Sequence, residues 1–319
     1  MDASSLVNAP PILTLTINPA LDVSTSTAHV TGEHKLRCGS TRIDPGGGGV
    51  NVARVIRRLG GTALSLYAAG GPTGEAYRQL IAAEGLPTVL VPIKESTRQS
   101  FTVDETDTGK QFRFVLQGPE LSEAEWTTCL DTLAASMPRG GYVIASGSLP
   151  PGVPDDFYAR VARLARTNGA RCIVDASGPA LSGALAEGVF LVKPSLRELE
   201  AHAGVKLETP ESQAEAASAL VASGAAEYVA LTLGGEGALL ASKTGVIRSE
   251  VPKVTVISTV GAGDSFLGAF VLRLAQGRTV EEAFRAGVAA GSATASTPAT
   301  ELCHREDVER LEAELAARA

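Results

Sequence analysis

Asp44-Pro45-Gly46-Gly47-Gly48-Gly49-Val50-Asn51-Val52-Ala53-Arg54, continuing as VIRRLGGTALSLYA to Ala68, passes from a glycine-rich turn through a helix into a strand. Val52, Val55, Ile56 and Leu59 recur at i, i+3, i+4 and i+7, one buried face of a helix over Val50–Leu59. Leu64–Ala68 then reads as a strand. The same alternation repeats outward from this unit. Ile12–Ile17 (ILTLTI) is a buried strand, and Gly74–Glu84 a helix closed by Gly85. Ser122-x-x-Glu125 is a capping box opening a helix to about Ser136. Strands over Tyr142–Ala145, Cys172–Val174, Phe190–Val192 and Tyr228–Thr232 are interleaved with helices over Asp155–Thr167, Ser195–Ala203 and Glu211–Ser223. Helices near Ala262–Ala275, Val280–Thr294 and Glu306–Ala317 end the chain. Strands alternating with helices predict an α/β fold, a mostly parallel sheet covered on both faces, with ligands at the carboxyl ends of its strands.

Two stretches break this rhythm. Val23–Ile43 and Ser100–Leu116 are strand-like and have no helix between their strands. They predict a small accessory sheet, a lid formed by about residues 20–45 and 97–117, inserted into a single domain spanning residues 1–319.

Composition narrows the function classes. The 319 residues are 44% hydrophobic and carry a formal charge of -7, enough apolar matter for a large core but no basic stripe of the kind nucleic acid requires. An anionic substrate would need locally placed Arg and Lys against that field. Cys38, Cys129, Cys172 and Cys303 are widely spaced, and the four histidines are scattered, so zinc-site spacing is missing and the thiols read as reduced. No basic n-region or run of ~20 apolar residues occurs, which predicts a cytoplasmic chain without a membrane segment. Residues 1–10 read as a frayed leader.

Glycine, 34 of 319 residues, is clustered where backbone geometry matters. The Gly46–Gly49 run either connects a strand to a helix or lets backbone N–H groups approach an oxygen-rich ligand, with Asn51 adding a donor and an acceptor. It is neither a Walker A sequence nor G-x-G-x-x-G, which argues against a P-loop ATPase or a nicotinamide-dependent oxidoreductase. The second segment is Ser258-Thr259-Val260-Gly261-Ala262-Gly263-Asp264-Ser265-Phe266. Small residues before a helix place N–H groups and the positive end of its dipole at one point, an anion site. Asp264 in the same turn either stabilises the helix or takes a hydroxyl proton while those groups stabilise a migrating phosphoryl group.

GGGGVNVARVIRRLGG and TVGAGDSFLGAF, in this order and at this separation, together resemble the two signatures of the ribokinase-like carbohydrate kinases. The resemblance runs from Ile12 over essentially the whole chain and implies a three-layer α/β/α core with a β-sheet lid. Within the family the chain is similar to the 6-phosphofructokinase branch of enteric bacteria, through NPALD (Asn18–Asp22), KLRC (Lys35–Cys38), TRQS (Thr97–Ser100), SGSLPPGV (Ser146–Val153), VKPS (Val192–Ser195), TLGGEGA (Thr232–Ala238) and GVAAGSA (Gly287–Ala293).

That resemblance implies roles. Asp22, the Gly47-Gly48-Gly49 loop, Asn51 and Ser148 would hold the sugar; Arg98 would grip its phosphate, with Lys35 and Arg37 adding positive charge. Lys193, Thr232, Gly234, Gly235, Gly237 and Ser292 would bind ATP. Glu198, the acidic member of an N-x-x-E element, would orient water around Mg²⁺; Ser195 stands where that element carries Asn, so weaker or relocated Mg²⁺ binding is expected. Gly261, Ala262 and Gly263 would form the anion hole and Asp264 the base. A K⁺ loop would draw mostly on carbonyls near Ser258, Val260, Thr294, Thr297 and Ala299. The implied reaction is ATP-dependent phosphorylation of fructose 6-phosphate at O1; the alternatives are a tagatose 6-phosphate kinase, a 1-phosphofructokinase or a non-catalytic sugar-phosphate sensor. Relatives acting on the first two tend to carry GGKG, where this chain has Gly48. A lid with free edges and one apolar face also implies a homodimer through the lid sheets.

Overall fold

The computed structural model describes residues 9–318, so all but the last two residues of the expected leader lie outside the described residues. In chain order the strands are β1 (Ile12–Thr16), β2 (Ala20–Thr27), β3 (Arg42–Gly46), β4 (Leu64–Ala69), β5 (Thr88–Pro92), β6 (Arg98–Glu105), β7 (Gln111–Val115), β8 (Tyr142–Ser146), β9 (Arg171–Asp175), β10 (Val189–Val192), β11 (Ala226–Thr232), β12 (Ala238–Ser242) and β13 (Gly245–Ser249). The helices are α1 (Gly48–Arg58), α2 (Gly71–Ala83), α3 (Glu123–Ala135), α4 (Phe157–Thr167), α5 (Gly178–Glu187), α6 (Leu196–Ala203), α7 (Pro210–Ala222), α8 (Ala262–Ala275), α9 (Val280–Ala295) and α10 (Arg305–Ala316).

Nine strands form one sheet in the order β13-β12-β11-β10-β9-β8-β1-β4-β5. Its pairs are parallel from β5 to β11, and antiparallel only where β12 and β13 fold back at one edge. Successive side chains of a strand point to opposite faces, and the two cores divide accordingly. Tyr142 and Ile144 pack with α1, α8, α9 and α10, whereas Val143 and Ala145 pack with α3, α4 and α5 on the other face. The helix–sheet–helix layering matches the expected α/β/α core. Helices α1 and α8 approach closely: a Cβ on Gly268 would lie 2.9 Å from the Val55 side chain.

The second sheet has the order β3-β2-β6-β7. Its inward side carries Asp22, Ser100 and Arg113 toward a cavity. Its outward side carries the cross-strand row Ile43, Val23, Phe101 and Phe114, in which Ile43 and Phe114 are 47% and 51% exposed.

Three elements go beyond what the sequence pattern predicts. β5, α5 and the β12–β13 hairpin lack a clean period. α5 has no side-chain cap, and the hairpin is an exposed edge whose β13 is open along most of its length. Conversely, Val23–Ile43 is strand only at its ends, because residues 28–41 between β2 and β3 follow an exposed irregular path.

Candidate active site

The start of α8 is built by residues without bulk. Gly261, immediately before the helix, has φ 76°, and a Cβ there would also lie 2.6 Å from the Leu302 side chain. No side chain caps this end, so the first-turn N–H groups remain available to a ligand. Cavities lie on either side. Gly261 and Asp264 line one of about 310 Å³, and Ala262 and Gly263 line another of about 340 Å³.

The first cavity collects the sugar-side residues. Asp22, Gly47, Gly48, Asn51, Arg98 and Ser148 all line it. They come from the carboxyl end of β8, the start of α1 and the inner face of the second sheet. Gly49 lies behind the wall, where a Cβ would stand 2.6 Å from the Leu15 carbonyl oxygen; its smallness seats α1 on β1. Lys35 and Arg37 do not line the cavity but sit exposed on the segment between β2 and β3. Burial pushes the Asp22 carboxyl up to about 6, although Arg98 and Arg113 oppose the shift. Arg98 is partly held already, donating from Nη1 to the Leu116 carbonyl and from Nη2 to the Asn18 carbonyl, each at 3.2 Å.

Asp264 is the electrostatic centre. Its Oδ2 accepts a 2.9 Å hydrogen bond from Asn51 Nδ2. Burial raises its pKa to about 7, with Asp175 adding to the rise, Asn51 and Lys193 opposing it, and Asp22 contributing upward. Such a carboxylate is poised to accept a proton near neutral pH. Lys193 is buried and pairs with Asp175 Oδ1 at 3.1 Å. Burial alone would weaken its charge, but Asp175, Asp264 and Glu198 together hold its pKa above the ordinary lysine value. A Cβ on Gly263 would come within 3.2 Å of Lys193 Nζ, so this ammonium reaches the first turn of α8 itself.

The second cavity has the character of a nucleotide slot. Thr232, Gly234, Gly235, Gly237, Ser195 and Ser292 supply small polar surface, and Val251, Val254, Val256, Phe266 and Val288 supply an apolar wall. The Ser292 hydroxyl donates to the Val288 carbonyl at 2.8 Å, which leaves its methylene as the useful contact.

Ser195 and Glu198 form a complete capping box at the start of α6. Glu198 Oε2 accepts from Ser195 N at 2.7 Å and Oγ at 2.8 Å, leaving Oε1 for water around a cation. Glu198 lines the first cavity and Ser195 the second, so this carboxylate stands between the two. The donor set fits water-mediated Mg²⁺ binding. No group of three or more His, Cys, Asp or Glu that could cage a metal occurs among the described residues.

The residues expected to form a K⁺ loop converge beside α8. Ala299 has φ 51°, uncommon for a residue with a Cβ, and its carbonyl accepts from Ser258 Oγ at 2.9 Å. Thr297 Oγ1 donates to the Thr294 carbonyl at 2.8 Å, while the Thr294 hydroxyl is spent on Ser265 Oγ at 2.7 Å. Val260 lines the sugar-side cavity. Carbonyl-rich, carboxylate-poor surroundings of this kind fit a monovalent cation.

Asp175 and Arg113 line the first cavity and are missed by the motifs. Asp175 carries one usable signal, a carboxylate at the end of a buried strand; Arg113 carries none. Arg54 lies within the first glycine signature, which gives it no role of its own.

A polar-lined cavity, an apolar nucleotide-sized slot and a carboxylate at the helix start between them define a phosphotransferase of the α/β type. Residues 15–307 match the pfkB family carbohydrate kinase, and the chain belongs to that family. It is 47% identical over 302 residues to the ATP-dependent 6-phosphofructokinase isozyme 2 of Mycobacterium tuberculosis, covering 95% of this chain and 89% of that protein. The crystal structure of phosphofructokinase-2 from Escherichia coli in complex with fructose-6-phosphate superposes with a TM-score of 0.91 at 42% identity, covering 96% of this chain and 99% of that one. The same enzyme in complex with potassium gives a TM-score of 0.92 over the same shares. The 1-phosphofructokinase of Bacillus subtilis is 33% identical, with 94% of this chain and 97% of that protein covered.

Proposed function

We propose that this chain transfers the γ-phosphoryl group of ATP to O1 of fructose 6-phosphate, giving fructose 1,6-bisphosphate, with Asp264 as the base. The observation that carries this reading is the position of Gly261–Asp264 between the two cavities. An acceptor hydroxyl on one side and a phosphate chain on the other would meet at one helix N-terminus. Asp264 takes the hydroxyl proton as the oxygen attacks in line, and the N–H groups of Gly261–Gly263 and the Lys193 ammonium receive the developing charge. Asp22, Asn51 and Ser148 orient the sugar, and Arg98 with Arg113 holds its phosphate. Mg²⁺, with its water shell held by Glu198, supplies charge neutralisation of the phosphates when bound. K⁺ in the Ser258–Ala299 loop would steady the start of α8.

The substrate choice leans on Gly48. A Cβ there would fall 2.1 Å from Ser146 Oγ, so this packing has no room for the lysine of a GGKG sequence. A second reading, turnover of fructose 1-phosphate or tagatose 6-phosphate, rests on the 1-phosphofructokinase relatives. An ATP-coupled assay over the three sugar phosphates decides: highest kcat/KM on fructose 6-phosphate is expected, and preference for either other sugar replaces the assignment.

We further propose that the chain works as one domain with residues 20–45 and 97–117 as lid, in the cytoplasm, where its four free cysteines stay reduced. The exposed row through Ile43, Phe101 and Phe114 suits pairing with a second lid, and a dimer offers Lys35 and Arg37 a route to the phosphates from across the interface. No described helix is long and apolar enough to cross a membrane.

A further inference from the structure

Arg54 is among the largest fully buried side chains of the molecule, 1% exposed, yet it touches neither cavity. A buried cation is retained only where its donors are matched. Its Nε donates to Glu84 Oε1 and Oε2 at 2.8 and 2.9 Å, and Nη2 lies 3.3 Å from Asp44 Oδ1. Nη1 donates to the Pro45 carbonyl at 3.1 Å and to Asn51 Oδ1 at 3.2 Å. The last contact matters for chemistry. An asparagine amide can turn over, exchanging donor for acceptor, and its orientation follows from its partners. A guanidinium has only donors, so the atom of Asn51 facing Arg54 must be the oxygen. The NH₂ end must then face Asp264, where it donates to Oδ2 at 2.9 Å.

We infer that Arg54 is the positioning residue of this site: through Asn51 it fixes a hydrogen-bond donor on the catalytic carboxylate. The inference rests on the reading of Asp264 as the base. Without Arg54 the amide is free to turn, and its oxygen would then oppose the ionised Asp264. Asn51 faces the carboxylate from α1, Asp175 and Lys193 from the ends of β9 and β10, and Asp22 from β2. Glu198, beyond Lys193, completes the charged surroundings. Among these, the Asn51 donor is the only one whose sign can be reversed by rotation. The same guanidinium also anchors Asp44, which accepts 2.6 Å hydrogen bonds from Thr300 Oγ1 and from Arg42 Nε. Arg54 thus ties α1, β3 and the 297–301 loop into one rigid cavity wall.

The test is Arg54→Lys, which keeps the charge but cannot satisfy Glu84, Asp44 and Asn51 at once. Losing an aligned donor to a carboxylate moves the acid limb of the kcat–pH profile up by about 1 unit, with kcat at pH 7 roughly fivefold lower. KM for ATP stays unchanged. Asn51→Ala moves the limb comparably, and Arg54→Lys adds nothing further in the Asn51→Ala background. An acid limb unmoved in a folded Arg54→Lys enzyme whose melting temperature has dropped assigns Arg54 a purely structural role and overturns the proposal. If Arg54→Lys does not fold, Asn51→Ala takes its place, because it removes the donor to Asp264 while Arg54 keeps Glu84, Asp44 and the Pro45 carbonyl, and an unmoved limb there overturns the proposal equally. Full activity of Asp264→Asn would instead remove the base, a failure distinguishable from either result.

Discussion

Helices α8 and α6 begin at neighbouring walls of the same site and begin differently. α6 is closed by its own residues: Ser195 and Glu198 reciprocally satisfy the free N–H groups in a capping box. α8 starts from Gly261 at φ 76° with no side-chain cap and carries Asp264 in its first turn. A capped start contributes about 1 kcal/mol of stability and has less to offer a ligand. An open start forgoes that stability and keeps donors and dipole for a phosphate. The capping carboxylate of α6 is therefore a divided resource, holding the helix with one oxygen and facing the cavity with the other. Asp264 has no structural duty of that kind.

The largest effect that separates the two helix starts is on turnover. Asp264→Asn should lower kcat by ~10²–10⁴-fold with ATP affinity largely kept, as measured by steady-state kinetics and nucleotide titration. Near-normal turnover would remove Asp264 from the chemistry.

The same substitution should show that the open start of α8 is held at a cost to stability. The folded pKa of Asp264, about 7, lies above its ordinary value of 3.8. A raised pKa means stability that is present at low pH and lost as pH rises through the folded pKa. Asp264→Asn escapes that loss. Its melting temperature should match the parent below pH 4 and exceed it increasingly up to about pH 7. The advantage should be about 2 kcal/mol at pH 8, since the cavity leaves part of the carboxylate open to water. A pH-independent difference would mean that the carboxylate ionises in the folded protein as it does in the unfolded chain.

The start of α6 should respond more gently. Ser195→Ala should cost about 1 kcal/mol in thermal unfolding, whereas Ser195→Asn, another good cap, should cost little. With its longer amide, Ser195→Asn should also lower the Mg²⁺ concentration for half-maximal rate, and an unchanged titration would take Ser195 out of the metal's surroundings. The smallest effect on catalysis is expected at the outer face of the second sheet. Phe114→Asp should shift light scattering from dimer toward monomer, and a parent that is already monomeric would rule out lid pairing.

Much of this architecture is legible in the chain alone. The period in Val52, Val55, Ile56 and Leu59 announces α1, Ser122-x-x-Glu125 announces the α3 cap, and the two glycine segments announce the walls around Asp264. β5, α5 and the β12–β13 hairpin are not legible in this way, because short or edge elements carry little periodicity. Ser195-x-x-Glu198 shows how one pattern can hold two meanings: read through the family it is a metal element, and read locally it is a capping box, and the structure makes the latter explicit.

Local rules act over three or four residues, so helices, caps and glycine turns are written into the chain and can be read from it. Which distant residues share a cavity is set by how the sheet orders its strands and how the second sheet folds over their ends. That is why Asp264 is found from its own turn, whereas Asp175 and Arg113 are not: they meet Asp264 and Asp22 from far along the chain, brought within reach by packing. Arg54 lies one turn from Asn51 in the first glycine segment, but only the packing of Glu84 and Asp44 around it shows how its guanidinium is held. Lys35 and Arg37 show the converse: motif membership named them, and the fold of a single chain leaves them outside the cavity.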